Sequence, residues 1–200
     1  MVMDDGLANI VADGCDAGLR FGESLAEHIM AVPVSQPMEM AVVATPEYLK
    51  RHGTPATPSD LARHNCVRYR QTGSGAIFRW EFSTPTEASA MARHDFTVEP
   101  HGSVTTNDGE GMILAAPQGV GLVQHLELAL RPYLQDGRLA RVLQPWSKPF
   151  PGLYLYAPTR EKMPAKVRAL IDFMVEKRDL VGGMGKPAVS KRPKKQTTAI

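Results

Sequence analysis

Histidines and serines supply the side chains most often used for acid–base and nucleophilic chemistry, but here neither set has the spacing that chemistry needs. His28, His52, His64, His94, His101 and His125 are scattered, with no metal-ligand interval between them. Ser24, Ser35 and Ser103 have no neighbouring base. No Gly-x-Ser-x-Gly, phosphate-binding loop, His-Glu-x-x-His or paired carboxylate motif occurs. A surface or hydrogen-bonded role suits each histidine better than catalysis. No enzyme, cofactor or metal is expected. What recurs is a polar helix start directly after an apolar strand. Val43-Ala44 runs into Thr45, and Val104-Thr105 runs into Thr106-Asn107-Asp108. In open α/β sheets such strand ends border the ligand crevice, and free N–H groups at a helix start attract anions. For Thr45, Asn107 and Asp108 the alternative is that they only cap their helices. Arg20, near the end of an apolar strand, is either a carboxylate partner for a ligand or half of an internal ion pair. Trp80 and Phe82 suit the core better than a ring-stacking platform.

The surrounding pattern alternates strands and helices. Short apolar pieces at 9–12 and 17–21 are divided by Asp13-Gly14, and the second is expected to be a buried strand ending at Gly22. Met38-Glu-Met-Ala-Val-Val-Ala44 is a clearer strand. Thr45, Pro46 and Glu47 then start a helix that Gly53 stops. Thr57-Pro-Ser-Asp60 repeats the start signal as a capping box. Strands follow at 66–70, and at 77–82 with 95–98, the last two in one sheet. A helix opens at 106–108, with Asn107 and Glu110 as its cap pair. A short buried strand is expected at 119–123. A helix follows at 126–134, with Pro132 able to end it early. Strands are expected at 139–143 and 153–157. A last helix begins at Pro164, with Val167, Leu170, Ile171, Met174 and Val175 as one apolar stripe. This alternation implies an α/β fold with mostly parallel sheets.

Composition narrows the class. At 200 residues and 43% hydrophobic content the chain can bury a core. The net charge of +2 hides an asymmetry. Lys186, Lys191, Arg192, Lys194 and Lys195 crowd the end, so residues 179–200 are expected to form a disordered basic tail on a mildly acidic body. An acidic body without a basic stripe argues against DNA binding by the body itself. Cys15 and Cys66 lack paired spacing and are expected as buried free thiols. No apolar run approaches the ~20 residues of a membrane span, and residues 1–5 do not form a signal peptide. A soluble, cytoplasmic protein without a membrane partner is the expectation.

Taken in order, several weak motifs combine. They are Asp16-Ala-Gly-Leu-Arg-Phe-Gly22, Ala44-Thr-Pro-Glu-Tyr48, Gly53-Thr-Pro-Ala-Thr-Pro-Ser-Asp-Leu61, His64-Asn-Cys66 and Trp80-Glu-Phe82. Thr106-Asn-Asp108, Gly119-Val-Gly-Leu122, Gly137-Arg-Leu139 and Pro149-Phe-Pro-Gly-Leu-Tyr-Leu-Tyr156 complete the set. Together they resemble the effector-binding domain of LysR-type transcription regulators, over about residues 6–175. The resemblance implies two lobes of the type II periplasmic-binding-protein fold, joined by crossover strands around a small-molecule cleft. It divides the chain into a first lobe at 1–43 and 147–178 and a second at 44–146. Carried over by position, Arg20, Gly22, Thr45, Thr106, Asn107 and Asp108 border the cleft. The implied partners are a small anionic metabolite and further copies of the chain, with DNA reached only through a winged helix-turn-helix absent from these residues. The first lobe's opening strand, helix and second strand are also expected to be missing, leaving that lobe incomplete and its edges prone to association. The alternatives are a solute-binding protein of the same fold and a regulator fragment without function.

Overall fold

The computed structural model describes residues 15–22, 30–85, 94–157 and 163–181. The expected strand at 9–12 and the basic stretch from 182 lie outside them.

Strand β1 (Gly18–Phe21) is followed by β2 (Met30–Pro33) and β3 (Met38–Ala44). Helix α1 (Pro46–His52) starts as expected: Thr45 Oγ1 accepts the Tyr48 N–H at 3.1 Å, and Gly53 ends the helix at φ +84°. A 3-10 turn (Pro58–Arg63) carries the capping box, with Asp60 accepting the Thr57 N–H at 2.9 Å. Then come β4 (Arg68–Tyr69), β5 (Trp80–Ser83), β6 (Asp95–Val98), β7 (Thr105–Thr106) and α2 (Gly109–Ala115). Strand β8 (Val123–Leu126), α3 (Glu127–Gln135), β9 (Ala140–Val142), β10 (Pro149–Phe150), β11 (Leu153–Ala157) and α4 (Ala165–Glu176) complete the order.

The apolar run of β3 makes it a strand buried on both faces. Val42 and Ala44 point into a cluster with Tyr48, Leu61, Trp80 and Phe82. Ala41 and Val43 point into another with Met112, Leu130 and Leu139. β8 pairs with one edge of β3, and β9 and β10 with the other. Arg141 on β9 grips Glu39 on β3 through two contacts of 2.8 Å and donates to Ser147 at 2.9 Å, tying these strands together. A separate sheet, β1–β11–β2, packs against α4 through Leu155, Ala157, Val167 and Ile171. Trp80 and Phe82 are fully buried, as core residues.

Several expectations need correction. Among the described residues the pairings are mostly antiparallel; only β4 with β7 and the Cys66–Leu122 bridge are parallel. The physical reason is the position of β3. α3 joins β8 to β9, which run in the same direction, but β3 lies between them and runs against both. β1 is not buried: Leu19 and Phe21 are 53% and 43% exposed. The strand expected at 119–123 begins at Val123, because Gly119 and Gly121 have positive φ and make a turn. The α2 cap is Asp108, whose carboxylate accepts the Glu110 N–H at 3.0 Å, not Asn107. Pro132 does not end α3, which continues to Gln135. Leu170 and Val175 leave the expected stripe and face outward. Cys15 is exposed; only Cys66 is buried. Ordered chain passes residue 178: the Gln36 N–H donates to the Val181 carbonyl at 3.0 Å, and Gln36 Nε2 to Asp179 at 2.5 Å.

Candidate functional site

β8 is the end strand of its sheet. A cavity of about 320 Å³ opens along it. Because successive side chains of a strand point to opposite faces, a cavity at a strand edge can be reached from both faces. Gln124 and His125 both border it, with Met40 and Leu126 beside them. Glu81 on β5, Phe78 before it, and Tyr69 on β4 form a second wall. Met112 and Gly109 of α2 form a third. Phe21 of β1 and Phe150 of β10 close the remaining side, their rings edge to face at 5.5 Å. The cavity is therefore bounded both by the sheet carrying β1 and by the elements around β3.

Its polar groups are poorly satisfied. Gln124 is 4% exposed and its Oε1 has no hydrogen-bond partner among the described residues. His125 Nδ1 is likewise buried and unpaired among them. Burial pushes the His125 pKa below its ordinary 6.5, against a backbone hydrogen bond at Leu126 that raises it, so the ring is neutral at pH 7. The other ring nitrogen stands close to Gly109: a Cβ there would lie 3.3 Å from Nε2. Buried polar groups in folded proteins almost always find a partner, so two orphans on one cavity wall point to a ligand.

None of the six residues singled out in the sequence lines this cavity, although three adjoin it in the chain. Arg20 and Gly22 flank Phe21, and alternation along β1 turns Arg20 to the opposite face from Phe21. Gly22 is packed so closely that a Cβ would lie 2.3 Å from Tyr154 Cε2. Asp108 precedes Gly109; it and Thr106 are engaged in the turn, Thr106 Oγ1 accepting the Asp108 N–H at 3.0 Å. Asn107 is exposed. Thr45 is buried beside Gly119, five residues beyond Met40 along β3. The residues that sequence reading missed are Gln124, His125, Glu81, Phe21 and Phe150. A signal existed for the first two: polar side chains interrupt the apolar run Leu122-Val123-Gln124-His125-Leu126.

A family model described as the LysR substrate binding domain matches residues 1–179. The chain belongs to the LysR substrate-binding domain family. Its relatives include the uncharacterised HTH-type transcriptional regulator YcaN of Escherichia coli, 33% identical over 174 residues, covering 87% of this chain and 54% of that protein. This LysR domain thus spans about half the length of the curated regulators it matches. Its fold is the α/β, periplasmic-binding-protein-like fold of LysR regulatory domains. It resembles full-length AphB of Vibrio cholerae, with TM-score 0.71 and 21% identity over 88% of this chain and 57% of that one. The CrgA regulatory domain of Neisseria meningitidis has TM-score 0.69 and 23% identity, over 88% and 81% of the two chains. At such identities these structures speak for the fold alone.

Proposed function

We propose that this LysR domain senses a small molecule held in the cavity along β8 and passes that binding to a transcription regulator, without transforming the molecule. The observation that carries the reading is the pair of unpaired polar atoms, Gln124 Oε1 and His125 Nδ1, on the wall of the 320 Å³ cavity. A space of that size suits a compact metabolite. The two lobes are taken as 1–43 with 147–178, and 44–146, so that the cavity lies where they meet. Homo-oligomeric assembly, contact with DNA through a separate domain and a cytoplasmic setting belong to the same reading. Its support is that the matched relatives are named HTH-type transcriptional regulators. Among the described residues no helix is long and apolar enough to cross a membrane. An anionic effector finds little support at the α2 start beside the cavity, where the Asp108 carboxylate already caps the helix. The lining side chains do not favour it either, because Glu81 lines the cavity and no lysine or arginine does among the described residues.

The test is a metabolite screen by thermal shift on the full chain, followed by hydrogen exchange and mass spectrometry of the hits. A true effector slows exchange around both Phe21 and Gln124 and is recovered unchanged. Protection on one side alone overturns the two-lobe reading, and consumption of the ligand overturns the non-enzymatic one.

A further inference from the structure

The chemistry of the cavity wall narrows what can bind, on the reading that the cavity is the effector site. Gln124 Oε1 is an acceptor only. His125, neutral under burial, offers one ring nitrogen as a donor and the other as an acceptor, so it does not by itself set the polarity of the ligand. Glu81 brings a carboxylate to the same wall and makes no ion pair with a described residue. Two acceptor groups, an amide oxygen and a carboxylate, thus meet one cavity. Tyr69 adds a ring with a hydroxyl, and the rest of the wall is apolar: Phe21, Phe78 and Phe150 present rings, with Met40, Met112 and Leu126 between them. Rings and thioethers enclose a flat apolar body well.

We infer that the cavity takes a neutral or cationic ring compound carrying a hydrogen-bond donor, such as a phenol or an aromatic amine, which donates to Gln124 Oε1. A carboxylate placed there would face the Gln124 oxygen and the Glu81 charge, and would leave Gln124 Oε1 unpaired. Recognition of this kind discriminates strongly, because a site built to accept a hydrogen bond penalises a ligand that lacks it. Gln124 is therefore the specificity-determining residue, and the aromatic walls supply the bulk of the binding.

The test uses four single-ring probes with the full chain: toluene, phenol, aniline and benzoate, each titrated by NMR. Phenol and aniline should bind about ten-fold more tightly than toluene, with benzoate weakest, and should shift the Gln124 side-chain amide and the His125 ring. Gln124→Leu replaces the buried amide with an apolar group of similar size. It should keep toluene binding and remove most of the advantage of phenol. Benzoate binding as tightly as phenol, or a Gln124→Leu variant with unchanged discrimination, overturns the donor assignment and leaves the cavity as the effector site. Equal binding of toluene and phenol has the same meaning. Failure of all four probes to perturb residues 124–126 overturns the cavity reading and this inference with it.

Discussion

Thr45 is held by structural duties. Its hydroxyl caps α1 at Tyr48, and the Tyr48 hydroxyl in turn meets His64 Nδ1 at 3.3 Å and accepts the Asn65 N–H at 3.0 Å. The Asn65 side chain donates to the Val120 carbonyl at 2.6 Å and accepts from the Ser103 N–H at 2.8 Å. This chain of bonds links α1 to the loops before β7 and β8. Thr45→Ala should cost about 1 kcal/mol in urea unfolding, with affinity for a cavity ligand unchanged. A ten-fold loss of affinity would instead place Thr45 at the ligand. Histidine titration supplies a second prediction. Burial lowers the pKa of both His125 and His64, and for His64 the charges of His52 and Arg63 lower it further. A lowered folded-state pKa means that below about pH 6.5 the unfolded chain takes up protons that the folded chain refuses. Stability is complete above that pH and falls as the solution is acidified through the folded-state values. Unfolding at pH 7.5 and 5.5 should show the loss, and His125→Gln should reduce it. A stability that rises on acidification over this range contradicts the argument.

At the scale of elements, α4 shows how an apolar pattern divides once it is packed. Val167 and Ile171, four residues apart on one face, enter the cluster under β11, while Leu170 and Phe173 remain 44% and 57% exposed. Ile171→Ala should therefore cost roughly 2–4 kcal/mol, and Phe173→Ser should stay within about 0.5 kcal/mol of the wild type. Thermal and urea unfolding of the two variants decide this; similar losses in both would mean that the exposed face is covered in solution. β3 makes the opposite point. With both faces buried and both edges paired, it is the strand that the other elements are built around, and the alternation of strands and helices does not reveal that its neighbours run against it.

For the whole molecule, binding and stability are linked. A ligand present at about one hundred times its Kd adds about 2.7 kcal/mol if only the folded state binds it, and a cavity bordered by several sheets spreads that gain over them. The chain's end has a measurable place too. Gln36 holds both Asp179 and Val181. Ending the chain after Arg178 should thus lower stability by about 1–3 kcal/mol, at roughly 0.5–1.5 kcal/mol for each lost bond. Ending it after Val181 should leave stability unchanged. Equal stability of the two truncated forms, measured by urea unfolding, would remove those contacts from the fold.

What the sequence determined by itself is local or cumulative. Caps and stops such as Thr45, Pro46, Gly53 and the Thr57–Asp60 box act within a few residues, so neighbouring side chains suffice to place them. The family followed from many weak motifs in one order, and the α/β class from the alternation of strands and helices. Tertiary structure decided the rest. Strand direction depended on β3 lying between β8 and β9 and running against both. The capping residue of α2 depended on a backbone angle at Asp108 rather than on residue type. The cavity assembled Phe21, Glu81, Gln124, His125 and Phe150 from four separate places in the chain. A strand-to-helix junction is visible in sequence because its parts are adjacent; a pair of buried unpaired polar atoms is not, because only packing determines which polar atoms lose water and find no partner.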